Sequence, residues 1–475
     1  MTILTINPGS VTGLTEQEAA ILQDLLSLYA YHMPRNEEKQ KYYEGKISLA
    51  DVNLGIALPK GLSGLEIGCA WGAKCVDVLA ARSMFDGFVA QDGTDVPEIQ
   101  QLVRDNDLLA EYMKAAKDEL KFGCSFATLS RDEKIGCKIR FHSPQTAAAR
   151  WDGNRGQIAY GMAIINVAPL DSAPEVLMPS TIYLYLSDWV IVLHRAGDSN
   201  WTDAPDWSAE WTAERHPNKM GRPLMEPLVW SATSAKPLGR SRIKEPIRRL
   251  IDGYVRTLAN ASIGLEFSTA PQKYILGVTD EQFDQLSADK FHQYVGAMLA
   301  ATTNPETGEK PTFGQLTQGS ITPHVEMLRI LATQFSAATG LPVTDTGVVN
   351  TANPTSSDAI LAQTQTLVSM AEELNAGNGN ALRTIALMAL AVSRESTLED
   401  LSEEDQDIVA HFKNPAMPSV AVTADAAIKI ASSRQGFAST DTFLEMIGFD
   451  QADIRRIRAQ EQLARGRAVL EEMGI

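Results

Sequence analysis

No lysine, arginine or histidine occurs between Ile330 and Leu382, and this gap constrains the fold more than any other feature of the chain. A helix–loop–helix of that length ordinarily carries several basic residues on its solvated faces. Its only ionisable side chains are four acids: Asp345, Asp358, Glu372 and Glu373. One interpretation is a buried helical core, from which charges of both signs are excluded.

A polar surface without positive charge is the second interpretation of the same stretch. Its many Thr, Ser, Gln and Asn residues suit a solvated surface better than a core. Such a surface forms no ion pairs with phosphates, and each phosphate contact adds binding free energy and hence a barrier to movement. The stretch would then let a DNA backbone slide past it.

The composition and charge of the chain narrow its class. The 475 residues are 44% hydrophobic and 21% charged, so we expect two to four structural units with buried cores. The net charge of -17 argues against a protein that grips nucleic acid by its phosphates. No run approaches the ~18 apolar residues of a membrane span, and no secretory signal pattern is found, so we expect no membrane association.

Motifs for metal binding and catalysis are absent from the sequence. The four cysteines form no Cys-x-x-Cys pair, so we expect buried free thiols and no zinc site: Cys69, Cys75, Cys124 and Cys137. Neither a triphosphate-binding glycine loop nor a His-Glu-x-x-His helix occurs. Three histidines lack metal-like spacing: His142, His194 and His216. We therefore expect no cofactor and no catalytic site.

One stretch, "GLEIGCAWGAKCVDVLAARSMFDGF" at 64–88, is similar to the cofactor loop of a methyltransferase. A Glu-Ile-Gly turn precedes a helical pattern there, and Asp92 follows at about the place of a ribose-binding acid. However, Ala70 replaces the middle glycine, and the bulk of Trp71 would fill the space of the cofactor. We expect a strand or turn that leads into a helix, with Trp71 as a packing residue and a turn at Gly87 as the helix stop.

The first half of the chain predicts helices followed by strands. Residues 15–45 form a helical pattern that starts with a capping box, and further helical patterns lie near 72–85 and 97–121. Short runs of Ile, Val, Tyr and Leu between turn residues at 122–195 predict strands and hairpins. Residues 197–223, rich in Trp and Pro, predict an ordered surface loop or a binding loop.

The second half is mainly helical. A basic helix is predicted over 241–264, and a mixed stretch follows at 265–318, with two short strands around a helical pattern. A helix over 322–340 is closed by a glycine, and a loop then leads into a long helical pattern from Thr355 that is interrupted at 375–380. The end of the chain predicts two or three helices with a basic face. Together these elements predict an α+β fold.

Several stretches in this order resemble the portal proteins of tailed bacteriophages, in the long-tailed branch. They are "YYEGKISLADVNLGIALP", "CVDVLAARSMFDGF", "MGRPLMEPLVW", "GSITPHVEMLRILATQFSAATGLP", "NPTSSDAILAQTQTLVSMAEE" and "TFLEMIGFDQADIRRIRAQEQLAR". The resemblance spans most of the chain and is strongest over 319–373. The Trp-rich loop and the details of 265–318 match no signature of the family.

The resemblance implies a portal-like architecture: a mixed α/β wing, two stem helices that flank a small α/β clip, a long interrupted helix and a helical crown. The implied segments are 1–50 N-terminal helical segment, 51–240 wing, 241–264 first stem helix, 265–318 clip, 319–340 second stem helix, 341–354 tunnel loop, 355–420 long interrupted helix returning to the wing and 421–475 crown.

The family resemblance also implies a function. Portal proteins form a ring, usually of twelve subunits, at one vertex of the capsid, and the ring is the channel for packaging and ejection of double-stranded DNA. The implied partners are the terminase motor, the major capsid protein and the head–tail connector or adaptor proteins. The implied locations are the virion and, during assembly, the host cytoplasm. Another multimeric virion protein, such as an adaptor or minor capsid component, is the main alternative.

Two groups of residues are the candidate site. The tunnel loop would present Leu341, Pro342, Val343, Thr344, Asp345, Thr346 and Gly347 to DNA. The first stem helix would present Arg240, Arg242, Lys244, Arg248, Arg249 and Arg256. These basic residues could pair with acids of a neighbouring subunit or contact DNA, and the sequence leaves both readings open.

Exchange of Asp345 for lysine tests the tunnel assignment. We expect Asp345→Lys to slow or block DNA packaging, because a cation in the channel adds a phosphate contact. The measurement is the DNA content of capsids assembled with the variant. Packaging at the wild-type level would undermine the assignment.

Overall fold

The structure is a computed structural model, and its elements are numbered here along the chain. It describes residues 6–47, 67–90, 96–170, 173–195, 211–269, 273–276, 312–315, 320–347, 357–416, 420–434, 436–449 and 451–472, and a few single residues between 279 and 310. The α-helices are Glu16–Glu44 (α1), Trp71–Ala80 (α2), Pro97–Asp105 (α3), Leu108–Phe122 (α4), Glu245–Thr269 (α5), Thr322–Thr339 (α6), Ser357–Ser393 (α7), Glu403–Gln406 (α8), Val420–Ser433 (α9), Asp441–Ile447 (α10) and Gln451–Glu472 (α11). The strands are Phe85–Ala90 (β1), Cys124–Asp132 (β2), Gly136–His142 (β3), Ala147–Asp152 (β4), Gln157–Leu170 (β5), Ala173–Tyr185 (β6), Trp189–Arg195 (β7), Trp211–Pro217 (β8), Met225–Val229 (β9), Lys273–Leu276 (β10), Thr312–Gln315 (β11) and Ile408–Phe412 (β12).

The chain divides into two units. The larger unit comprises Met1–Tyr43, Ala73–Lys244 and Pro354–Ile475, and the smaller unit comprises Glu44–Gly72 and Glu245–Asn353. This division agrees with the expected two to four units. Among the helices that the structure describes, none combines the length and the apolar composition needed to cross a bilayer.

Helix α1 begins where the sequence predicts. The backbone N–H of Thr15 donates to Glu18 Oε2 at 2.7 Å, and the N–H of Glu18 donates to Thr15 Oγ1 at 3.3 Å, which completes a capping box. One apolar face of α1 then packs on a five-stranded antiparallel sheet of order β4-β5-β6-β7-β8. The buried residues of that face include Leu22, Leu25 and Tyr29.

Strand β8 corrects the prediction of a loop over 197–223. Residues 211–217 pair with β7 along the edge of the sheet, from Trp189 opposite Pro217 to Arg195 opposite Trp211. Trp211 is buried in the core beneath α1. Its burial shows that this tryptophan is a packing residue, while 196–210 lie outside the described residues.

The main core of the larger unit lies between helices and two small sheets. The sheets have the orders β3-β2-β9 and β1-β12, and both are antiparallel where they pair. Helix α4 and the C-terminal half of α7 supply the apolar side chains that fill the space between them. The core thus joins parts of the chain that lie more than 250 residues apart.

Two predicted helix boundaries are wrong. Gly87 does not stop a helix, because α2 ends at Ala80 and Gly87 lies inside β1, at a bulge with φ of 109°. The helical pattern at 97–121 is two helices, α3 and α4. The Asn106 side chain between them donates to the carbonyls of Leu102 and Cys137 and accepts from the N–H of Ile139, which ends α3.

The long helix α7 runs without a break from Ser357 to Ser393, so the predicted interruption at 375–380 is wrong. Each of the two glycines in that segment disfavours a helix by about 1 kcal/mol relative to alanine. Tertiary packing outweighs this preference, because Asn378 is fully buried and donates to side chains of α4. A contact distant in the chain therefore decides the local structure.

The predicted first stem helix also has different ends, since α5 spans Glu245–Thr269 instead of 241–264. Residues before it are held by the backbone of the larger unit. The N–H of Arg240 donates to the carbonyl of Trp230 at 3.0 Å, and the N–H of Arg242 donates to the carbonyl of Leu120 at 2.8 Å. The chain is therefore in an irregular, non-helical connection up to Lys244.

In the smaller unit, α5 packs against α6. Gly253 permits close approach, because a Cβ atom there would lie 3.3 Å from Leu331 Cδ2. Helix α6 ends at Gly340 with φ of 71°, as predicted. The predicted short strands are present as the antiparallel pair β10–β11, with Tyr274 opposite Gly314. The helix predicted between them lies outside the described residues.

The described residues of the last stretch, 439–472, contain two α-helices, α10 and α11, where the sequence predicts two or three. Arg458 of α11 donates to Asp441 at the start of α10 and to the carbonyl of Ser439. These bonds hold the last two helices together.

Gly239 offers a test of the connection that precedes α5. We expect Gly239→Ala to lower the free energy of unfolding by about 2–5 kcal/mol, because left-handed strain and steric overlap add. Gly239 has φ of 73°, and a Cβ atom would overlap the carbonyl oxygens of Trp230 and Gly123. The measurement is urea unfolding followed by circular dichroism.

Gly156→Ala is the matched control. Gly156 also has a positive φ, of 65°, but nothing lies within 4 Å of an added Cβ atom. We expect only the strain of about 1–2 kcal/mol at this position. Equal losses in the two variants would show that the overlap at Gly239 is unimportant.

Candidate functional site

Trp71 is the centre of the smaller unit. Its indole ring is 5% exposed and stacks on Phe335 of α6 at a centroid distance of 4.6 Å and against Tyr254 of α5 at 4.2 Å. Its Nε1–H donates to the carbonyl of Thr346 at 3.3 Å. One side chain therefore connects both predicted stem helices with the start of the predicted tunnel loop, and the expectation of a packing residue is confirmed.

The position of Trp71 also concerns the similarity of 64–88 to the cofactor loop of a methyltransferase. The ring packs against Tyr254 and Phe335 instead of lying open at a glycine turn. Cys69 beside it is buried, and burial raises the pKa of its thiol to about 11. Cys69 and Trp71 are packing residues of the smaller unit, and residues 73–88 belong to the larger unit.

The first seven residues of the predicted tunnel loop are folded against α6. Val343–Thr346 form a 3-10 helix, and Gly347 follows it with φ of 86°. The Ser336 hydroxyl donates to the carbonyl of Leu341 at 2.5 Å, which fixes the turn after α6.

Burial separates these seven residues into two groups. Leu341, Pro342 and Thr346 are buried within the smaller unit, so packing accounts for them. The other four are exposed or half-buried: Val343, Thr344, Asp345 and Gly347. Their position toward DNA stays a prediction, and residues 348–353 of the loop lie outside the described residues.

The predicted basic group is not one surface. Arg240, Arg242 and Lys244 precede α5, and only Arg248, Arg249 and Arg256 belong to that helix. Arg249 pairs with Glu245 one turn earlier, at 2.6 Å. Arg240, Lys244, Arg249 and Arg256 are exposed, and Arg248 is half-buried.

Arg242 is a structural residue of the larger unit, which corrects its assignment to a basic surface. It is 8% exposed, and its Nε–H donates to the carbonyl of Cys75 in α2 at 2.6 Å. Its guanidinium lies 5.7 Å from the ring centre of Trp230 and 3.4 Å from Met370 Sδ of α7. Burial lowers the pKa of Arg242. The arginine thus links three elements of the core.

The stretch without basic residues, 330–382, has both buried and exposed side chains among its described residues. In the smaller unit, Leu331 and Phe335 of α6 are buried, and in the larger unit Leu367, Ala371 and Leu374 of α7 are buried. The exposed side chains of each helix and of the 3-10 helix are neutral or acidic: Thr333, Gln334, Thr344, Gln363, Gln365, Thr366, Ser369, Glu372, Glu373 and Asn380. The buried side chains fit the interpretation as a core, and the exposed ones fit the interpretation as a polar surface without positive charge.

The other residues considered for chemistry are structural. All four cysteines are free and buried, as predicted. His142 lies 2.9 Å from the hydroxyl of Thr128, and burial lowers its pKa to about 4. Across the described residues, no three His, Cys, Asp or Glu side chains come close enough to hold a metal ion.

Sequence reasoning missed a buried polar cluster in the larger unit. Glu119 of α4 and Asn378 of α7 are both fully buried, and Asn378 Nδ2 donates to Glu119 Oε2 at 2.7 Å. A signal was present, because Glu119 follows Tyr112 by seven residues and Ala115 by four, on the apolar face of a helix.

Trp71 provides the test of this arrangement in the smaller unit. We expect Trp71→Phe to cost about 1 kcal/mol, because it keeps the ring stacking and loses the bond to Thr346, and Trp71→Ala to cost about 3–5 kcal/mol. The measurement is urea unfolding by circular dichroism. Trp189→Ala, at a tryptophan that is 41% exposed, is the control and should change stability by under about 0.5 kcal/mol. A loss in Trp71→Ala no larger than in the control would contradict the packing role.

Comparison with known proteins identifies the family. The model of the family "Phage portal protein, SPP1 Gp6-like" matches residues 24–466. The portal protein of Mycobacterium phage D29 is 24% identical over 436 residues, covering 88% of this chain and 84% of that protein. The portal protein of Mycobacterium phage L5 is 22% identical over 475 residues, covering 96% and 92%.

Two solved structures align with most of this chain. One is the neck of a native GTA particle computed with C12 symmetry, with a TM-score of 0.45 and 12% identity, covering 80% of this chain and 89% of that one. The other is the neck of an empty GTA particle computed with C6 symmetry, with a TM-score of 0.47 and 13% identity, covering 86% and 98%. The family match over nearly the whole chain carries the assignment: this chain belongs to the phage portal protein family, whose members are structural components of the virion and not enzymes.

Proposed function

We propose that this portal chain assembles into a closed ring at one vertex of the capsid and that the ring is the channel for genome packaging and ejection. The observation that carries the proposal is the smaller unit, in which two helices flank a pair of short strands. It follows β9 in the chain and leads through the 3-10 helix at Val343–Thr346 into α7. This is the order expected for a stem, a clip, a second stem and a tunnel loop.

The exposed apolar side chains of the smaller unit support subunit contacts in the ring. Val325, Met327 and Ile330 on α6 are 41%, 44% and 50% exposed. Leu265 on α5 and Leu276 on β10 are also exposed. Apolar side chains at this density on one small unit are typical of a protein–protein interface. We assign them to contacts between neighbouring copies.

The charge of the exposed faces supports passage of DNA. The exposed side chains of α6 and, separately, of α7 within the described part of 330–382 present hydroxyl, amide and carboxylate groups without a cation. Each contact between a cation and a phosphate would release counterions, and this would strengthen the binding of the DNA and oppose its movement. A channel lined by such a face would hold double-stranded DNA weakly, which suits a conduit through which it must move.

The exposed basic residues fit a protein contact better than a DNA contact. Arg249 already pairs with Glu245 inside its own helix. Arg240 and Lys244 lie in the larger unit, next to the start of α5. Cations in the channel would oppose movement of DNA, so we assign Arg240 and Lys244 to acids of a neighbouring subunit.

The remaining assignments follow from membership of the family. Residues 51–240 would form the wing, 265–318 the clip and 421–475 the crown. The ring would dock the terminase motor during filling and the head–tail connector proteins afterwards, and it would also contact the major capsid protein. The ring would have twelve subunits and would assemble in the host cytoplasm before it becomes part of the virion.

Particle symmetry is the decisive experiment. We expect rings in negative-stain class averages of the purified protein and a mass near twelve times 51.7 kDa by light scattering. Ile330→Glu should break the ring without unfolding the chain, because it places a charge on an exposed apolar face. Ile330→Leu, which keeps an apolar side chain at the same position, is the control and should leave the ring intact. A monomer or dimer at micromolar concentration and physiological salt would count against the proposal.

A further inference from the structure

The least helical segment of α7 is held by a buried polar cluster. Residues 375–380 read "NAGNGN", yet they lie within one continuous helix. Asn378 in this segment donates from Nδ2 to Glu119 Oε2 at 2.7 Å and to the hydroxyl of Tyr112 at 3.0 Å. Tyr112 in turn shares a hydrogen bond of 2.6 Å with Ser83. All four side chains are fully buried in the larger unit.

We propose that the contact between Glu119 and Asn378 is a pH-sensitive latch. While Glu119 is protonated, the contact keeps residues 375–380 helical. When the carboxyl of Glu119 ionises, the helix opens at this segment. The segment contains the two glycines and three asparagines that disfavour a helix, so it is the weakest part of α7. Apolar side chains are buried on both sides of the segment, among them Leu367, Ala371 and Leu374 before it and Leu382 to Val392 after it. Loss of the latch would therefore act locally.

The surroundings of Glu119 favour its neutral form. Burial raises the pKa of Glu119 from the ordinary 4.5 to about 8, while the bond from Asn378 opposes that rise in part. Glu119 Oε1 and Asn378 Oδ1 have no hydrogen-bond partner, so an ionised carboxylate would be only half satisfied. No ion pair among the described residues includes Glu119.

The neighbouring ionisable groups do not change the preference of Glu119 for its neutral form. Tyr112 and Cys124 interact electrostatically with Glu119, and burial raises the pKa of both, so they are neutral near pH 7. Many charged side chains on the elements that pack around the cluster form ion pairs: Asp86 with His411 and Lys413, Arg222 with Glu226, Glu98 and Asp405 with Arg394, Asp118 with Lys121, Lys117 with Asp77, and Arg131 with Glu395. Arg383 of α7 donates instead to the carbonyls of Ile408 and Gln406. The latch thus depends on one titrating group.

The sign of the pH effect follows from the raised pKa. In the opened segment Glu119 meets water and ionises near its ordinary 4.5, whereas in the closed segment it stays protonated up to about 8. Between these values the closed state holds one more proton than the open state, so rising pH favours opening by about tenfold per pH unit. Above about pH 8 both states are ionised, and the effect levels off.

Hydrogen exchange of the full-length protein tests the latch. After correction for intrinsic exchange, we expect the protection of amides at 375–382 to fall by about tenfold per pH unit from pH 6 to 7.5 and to level off above pH 8. Amides of α1 should show no such fall. Protection at 375–382 that does not depend on pH in the wild-type protein would overturn the proposal, whatever the variants do.

Three variants separate the latch from a general effect of pH. Glu119→Gln keeps the shape without the charge, so its protection should not depend on pH. Glu372→Gln makes the same change at an exposed acid of α7 and should keep the wild-type fall. Asn378→Ala removes the bond that opposes the raised pKa, so its fall should continue above pH 8. A fall in Glu119→Gln equal to that of the wild type would also overturn the proposal.

Discussion

Burial of the C-terminal half of α7 is the interaction on which the larger unit depends. Side chains from Leu382 to Val392 fill the space between the β3-β2-β9 sheet, the β1-β12 pair and α4. The three chain segments of this unit are separated in sequence by the whole smaller unit. Apolar surface removed from water at about 25 cal/mol per Å² is the main favourable term that holds such distant segments together.

The smaller unit depends in the same way on one aromatic side chain. Trp71 contacts Tyr254 of α5 and Phe335 of α6 with its ring and donates its N–H to the backbone carbonyl of Thr346. An indole is suited to this position because it combines a large apolar surface with one donor. The 3-10 helix at Val343–Thr346 is therefore held by a residue more than 250 positions earlier.

Much of the secondary structure could be predicted, because its signals are local. The capping box at Thr15 and Glu18 starts α1, and Gly340 ends α6, where the sequence places them. The loop predicted around Trp211 is partly a strand, since pairing with β7 supplies hydrogen bonds that no local pattern reveals. Of the candidate site, the exposed residues Thr344 and Arg249 lie on surfaces as expected, whereas Arg242 is buried beneath Trp230.

The sequence by itself determined the family, the α+β class, the alternation of helical and strand segments and the lack of basic residues between Ile330 and Leu382. Only the tertiary structure decided that α7 continues through two glycines, that Arg242 lies in the core and that Glu119 faces Asn378. The physical reason is the distance along the chain over which each kind of interaction acts. Local preferences amount to about 1 kcal/mol per residue and act within a turn or two. Burial and hydrogen bonds between distant segments act on the same residues with larger free energies, and no short stretch of sequence contains both partners.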